Sequence, residues 1–156
     1  MIRRLLYLAI VTTSITANAQ HNYTIQEGQA PQAGTSKSFT ATITGVQMDF
    51  VESEWRDFLH QYQGKSGEPI KNGDVVVMET EEVIFPILDN EKVDIMAMFR
   101  PFLNQNGLDS VMLTIWIERE DTTHLNPLVD EQAGKKVKDW LLSFYAQIDR
   151  TAITTD

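Results

Sequence analysis

Cysteine is absent from all 156 residues. That excludes a disulfide framework, a thiol nucleophile and a cysteine-ligated metal. Long apolar runs are missing too: nothing approaches the roughly 20 residues needed to cross a bilayer as a helix. No Gly-rich phosphate loop and no Gly-x-Ser-x-Gly elbow occurs, so two common routes to phosphoryl and acyl transfer have no sequence support. Basic residues are few, 13 Lys and Arg against 22 Asp and Glu, for a net charge of -9. Such a surface repels nucleic acid and anionic lipid, since both bind through neutralised phosphates. Its plainest consequence is solubility.

The scarce basic residues include Arg3 and Arg4, which stand directly before an apolar run from Leu5 to Val11. Small and polar residues follow and end in Ala17-Asn18-Ala19 before Gln20. A charged start, a short apolar middle and an A-x-A exit predict a secretory signal peptide over 1–19, cleaved near Ala19–Gln20. The expected location is periplasmic or secreted. No lipid anchor is expected, because the cysteine a lipoprotein needs is missing. Without Arg3 and Arg4 the chain keeps 11 basic and 22 acidic residues, a net of -11.

Residues 20–37, rich in Gln, Gly, Ala, Ser and Thr, predict a flexible lead-in, in which Tyr23 and Ile25 could dock as a short edge strand. A single domain is expected over 38–150, followed by a frayed tail over 151–156. Phe39 to Thr44 alternates apolar and polar, the period of a strand with one buried face. Val51, Trp55, Phe58, Leu59 and Tyr62 recur at helical spacing. Asp49 is the expected N-cap, Glu52 the other half of a capping box, and Gly64 the C-terminal stop. Lys65 to Asp74 reads as a loop. Strands are predicted over 74–79, 83–87, 93–99 and 108–117, with turns at Asp89-Asn90 and Asn106-Gly107. A last helix from Asp130 to Ile148 carries Ala133, Val137, Trp140, Leu141, Phe144 and Ile148 as its stripe.

The order β-α-β-β-β-β-α with short connections predicts an α+β two-layer sandwich. An antiparallel sheet of about five strands carries two amphipathic helices on one face. Parity along the strands then sends Met96, Met98, Met112 and Trp116, with Met78, to the face away from the helices. Methionine adapts to varied apolar partners, and a contiguous exposed apolar patch marks an interface. This face is the candidate interaction site, for a peptide, an apolar ligand, an envelope protein or a second copy of the chain. The competing expectation is that the chain's own N-terminal segment or a long connection covers it.

No catalytic residue, cofactor site or metal site is predicted. Glu118, Glu120, Asp121 and His124 gather acids and an imidazole, but their spacing matches no ligand set. Asn104, Asn106, Gly107 and Asp109 lack the closing Glu of a calcium loop. His60 one turn after Asp57 is the only oriented imidazole in view, and a helix end explains it through the dipole. A non-enzymatic binding module is the leading expectation. A homo-oligomer that buries the same face comes next, and a small metal-dependent hydrolase last.

Val51-Glu52-x-Glu54-Trp55-x-x-Phe58-Leu59, followed by Tyr62-x-Gly64-Lys65, resembles a family of uncharacterised exported proteins of Bacteroidota. The likeness extends from about Phe39 to Ile148. It implies a periplasmic setting and no catalytic residues. It also implies O-glycosylation at Asp109-Ser110-Val111 and Asp121-Thr122-Thr123.

Overall fold

A computed structural model describes residues 24–29, 37–119 and 131–154. The leader over 1–19, Tyr23, most of the lead-in, and the acidic stretch from Glu120 through Thr122 to His124 lie outside the described residues. The elements are β1 (Thr24–Gln29), β2 (Lys37–Thr44), α1 (Met48–His60), β3 (Lys65–Ser66), β4 (Ile70–Asn72), β5 (Val75–Phe85), β6 (Glu91–Leu103), β7 (Asp109–Arg119) and α2 (Glu131–Thr154). The strands form one antiparallel sheet in the order β1-β2-β7-β6-β5-β3, with β4 also paired to β5. Both helices pack on one face, so the fold is the expected α+β two-layer arrangement with seven strands rather than about five.

The additional strands have separable causes. β1 adds to the edge of β2, and Ile25 reaches the core. β3 and β4 are short segments inside the expected loop, each paired to a different stretch of β5. In compensation, the two strands expected over 74–79 and 83–87 are one strand. A bulge between Thr80 and Val83 shifts its register, and Glu82 takes φ 57° there. The extra bulge residue lets one strand bend while its pairing with β6 resumes. Pro86 then opens a 3-10 turn, and Asp89 and Asn90, both at positive φ, complete the reversal.

Helix α1 buries Val51, Trp55, Phe58 and Leu59 as its spacing requires. Its start differs from expectation. Gln47 is the N-cap and makes no side-chain capping bond, and Asp49 lies inside the first turn, where its charge still suits the dipole. Gly64 is not the left-handed stop either. Gln63 takes the positive φ of 63°, while Gly64 sits where the chain passes close to Thr80 and Val83.

Helix α2 buries every residue of its expected stripe and adds Tyr145 and Gln147. It runs on to Thr154, through residues expected to fray. Thr151 helps explain this: its hydroxyl donates to the Gln147 carbonyl at 3.2 Å and to Glu54 Oε2 at 3.1 Å. The same carboxylate oxygen accepts Gln147 Nε2 at 2.9 Å, and Gln61 Nε2 donates to Gln147 Oε1 at 2.9 Å. Glu54, on the apolar side of α1, is thus a polar tie between the helices.

Between the helices and the sheet, Trp55, Phe58, Phe85, Trp140 and Phe144 stack with centroids 4.9–5.9 Å apart, mostly tilted or edge-on. The Nε1 atoms of Trp55 and Trp140 are buried without a hydrogen-bond acceptor. Both indoles make edge-on ring contacts, Trp55 with Trp140 and Phe144, and Trp140 also with Phe85.

Candidate docking face on the open side of the sheet

The face away from the helices is built from three rows of side chains that cross the strands. The central row runs Ile70, Val77, Met98, Thr114, Thr40 and Gln26, from β4 to β1, by direct register. On one side lies Glu79, Met96 and Trp116. On the other, Asn72 pairs with Val75, and Arg100, Met112, Thr42 and Thr24 continue across. Among the described residues, no element packs across these rows.

The face is graded. Toward β1 and β2 it is mostly threonine and glutamine, with Thr40 Oγ1 and Thr114 Oγ1 hydrogen-bonded at 3.0 Å. Toward β4, β5 and β6 it is apolar: Ile70 is 70% exposed, and Val75, Val77, Met96 and Met98 are half-buried. Half-burial is what neighbouring side chains on an open pleat give one another.

Three of the five residues expected on this face, Met96, Met98 and Met112, stand there partly exposed. Met78 does not. It pairs with Ala97 on the helix side and is fully buried in the core. Parity within β5 puts Met78 with Val76 and Thr80, so its side chain cannot reach the methionines of β6. Trp116 lies on the open side, opposite Met96, but only 4% of it is exposed. Met96 stands across from it, and Thr114 and Glu118 flank it on the same strand face. It is a floor residue of the face rather than a contact residue. Ile70, Val75 and Val77 were missed as site residues. Val75-Val76-Val77 reads as an unbroken apolar run, and Ile70 lies in what reads as a loop. The signal available was the alternation of Val75, Val77 and Glu79 against Val76, Met78 and Thr80.

Charge on the face gathers toward the two ends of β6, and Lys92 stands exposed among the acids at one of them. Glu79 is exposed beside Met96, and Asp94 and Glu118 pair at the same end of the sheet. Asp94 Oδ1 accepts the Glu82 amide at 3.0 Å. Arg100 is exposed two residues beyond Met98, toward the opposite end.

The other candidates resolve into structure. Asn104 organises the β6–β7 turn: its Oδ1 accepts the amides of Asn106 and Leu108, both at 2.9 Å, and Gly107 takes φ 71°. Ser110 is 2% exposed and donates to the Leu108 carbonyl at 3.2 Å, so the glycan expected at Asp109-Ser110-Val111 has no accessible hydroxyl in this fold. His60 and Asp57 are both exposed on α1. Among the described residues, no cluster of three or more His, Asp or Glu side chains is placed to hold a metal ion. A cavity of about 360 Å³ lies where the start of α1 meets the β6–β7 hairpin, lined by Val46, Met48, Phe102 and Leu103 together with Asp109. Among the described residues, no helix is long and apolar enough to cross a membrane.

Glu52, on α1, has one carboxylate oxygen buried without a partner. Burial pushes its pKa up, the nearby Asp49 charge adds to that, and Lys71 and Arg56 oppose it. At the β5 bulge the exposed Lys65–Glu82 pair lowers the Glu82 pKa and raises that of Lys65.

Comparison of the chain with family models, curated proteins and solved structures finds no match in any of the three.

Proposed function

We propose that this chain is an exported, non-enzymatic interaction module that docks another protein chain on the open face of its sheet. The observation that carries this reading is the apolar band of Ile70, Val75, Val77, Met96 and Met98 on the side opposite both helices. A water-facing sheet favours threonine and other polar residues, as the threonine- and glutamine-bearing β1–β2 half of the same face has. Unbranched thioethers fit a partner surface by rotamer change, which suits a docking role. The charged, apolar, A-x-A sequence of residues 1–19 and the resemblance to exported proteins support the envelope or extracellular setting.

Peroxide footprinting read by mass spectrometry tests the face. In the dilute, isolated chain Met96, Met98 and Met112 oxidise readily, and Met78, in the core, is spared. Protection of Met96 and Met98 equal to that of Met78 would mean the chain covers its own face and would end this reading.

A further inference from the structure

Resting on that docking reading, we infer that the occupant of the face is a second copy of this chain. The two sheets stack face to face about a two-fold axis that runs across the strands along the Ile70–Val77–Met98 row. One feature of the face is self-complementary under that operation, and two more are compatible with it.

The first is the pattern of rows. The central row is uncharged from Ile70 through Met98 to Gln26. Glu79 lies two residues along β5 to one side of Val77, and Arg100 lies two residues along β6 to the other side of Met98. A two-fold axis along the central row leaves each strand over its own copy and reverses its direction. Met98 then meets Met98 of the second copy, and Arg100 comes over the opposing row that holds Glu79 and Met96. Arg100 then lies over Met96 of the second copy, one strand aside from that copy's Glu79, and the arrangement occurs twice by symmetry. An in-plane axis along the strands would instead set the row of Glu79 over itself and the row of Arg100 over itself.

The second is area. Strands lie about 4.8 Å apart and rise about 3.3 Å per residue, so β2, β7, β6 and β5 over nine residues offer roughly 600 Å². With β4 and β1 added, that approaches the roughly 800 Å² per partner of a standard interface. Isologous contacts of this kind are the commonest closed assemblies, and aligned sheets pack at about 10 Å.

The third is the disposition of net charge. A net of -11 per copy, counted from Gln20 onward, repels at long range, but the contact rows themselves carry few charges, and the screening length is about 8 Å at physiological ionic strength. The apolar rows decide the contact, and Arg100 with Glu79 sets its direction. A cationic partner of another kind would be expected to meet acidic rows on both sides of the apolar band, and Arg100 stands on one of them.

The absence of cysteine makes the test direct. In the chain from Gln20 onward, which contains every described element, Met98→Cys introduces a single thiol beside the proposed axis. A short bismaleimide should join two copies through it, while Leu142→Cys, exposed on α2, should give no dimer. Sedimentation should show a concentration-dependent dimer. Arg100→Glu and Glu79→Arg should each weaken it about 10- to 100-fold, and the double swap should restore it. A chain that stays monomeric while Met96 and Met98 oxidise freely refutes the second copy and leaves the docking face standing for another protein. A monomer with those methionines protected refutes both. A dimer that ignores the charge swaps and does not crosslink through position 98 refutes this arrangement.

Discussion

Gly64 is the position where a single methyl group should be most informative. Its backbone is not left-handed, so alanine could adopt it, and on chain entropy alone Gly64→Ala should stabilise by about 0.4–1 kcal/mol. Space says otherwise. A Cβ at residue 64 would stand 2.7 Å from Thr80 Cγ2, 3.0 Å from Val83 Cγ2 and 3.0 Å from the Leu59 carbonyl oxygen. None of these can yield easily. Thr80 and Val83 flank the β5 bulge, and the Leu59 oxygen accepts the Gly64 and Tyr62 amides at 3.1 and 3.0 Å. Overpacking of this kind costs about 1–3 kcal/mol. The net expectation is a destabilisation of about 1–2 kcal/mol, seen as a lower urea midpoint with an unchanged m-value. Thr80→Ser in the same chain removes the nearest methyl but keeps the hydroxyl that meets Ser66 Oγ at 3.0 Å. The double variant should therefore recover a measurable part of the loss, as a double-mutant cycle would show. If Gly64→Ala matched or exceeded the parent in stability, or if Thr80→Ser recovered nothing, close approach would not be the reason for this glycine.

Face assignment makes a sharp pair: Met78→Lys should abolish folding or cost more than about 4 kcal/mol, whereas Met98→Lys should stay within about 1 kcal/mol by thermal melting. Glu54→Ala should cost about 2–3 kcal/mol in urea, because Gln147 Nε2 and the Thr151 hydroxyl lose a shared acceptor between the helices, and Glu54→Gln should cost less because its amide oxygen still accepts. Glu52 has a raised pKa, so the native state holds its proton more tightly than the unfolded chain does; its contribution is intact below the unfolded value and falls as pH rises through the folded one. Glu52→Gln should therefore raise the melting temperature at pH 7 and leave it unchanged near pH 4. Glu82 is the opposite case: its lowered pKa gives a contribution present at neutral pH that disappears on acidification, so Glu82→Gln should matter only above the acid range.

The two helical stripes and the alternation of β6 and β7 were legible because each is a run with one period and one buried face. Trp55, Phe58, Val137, Leu141 and Phe144 had no other place to go. The β5 strand was not, because its bulge breaks the alternation between Thr80 and Val83, and a broken alternation reads as two strands. That break also hid which way Met78 points. Glu54 was invisible for a different reason. A carboxylate on an apolar stripe carries no local sign that Gln147, 93 residues later, will meet it. At the site, parity identified the face of Met96, Met98 and Met112 but not the depth of Trp116. Parity is a property of one strand, and burial is set by the neighbours that stand around it.

Depth and parity together determine which substitutions should separate folding from docking. Residues on the helix side, such as Met78, Ala97 and Phe99, hold the core, and changes there lose fold and docking together. Residues on the floor of the open side, Thr114 and Trp116, are buried although they face away from the helices, so their loss also weakens the sheet. Only the half-buried tier, with Val77, Met96 and Met98, combines partial exposure with a register already secured by backbone pairing on both flanks. Threonine keeps the β-branched fit to a pleated surface and exchanges apolar contact for a hydroxyl. A chain with Val77, Met96 and Met98 all replaced by threonine should thus melt within a few degrees of the parent and still lose the concentration-dependent association. A parallel fall in both quantities would show that the apolar band holds the sheet together rather than a partner.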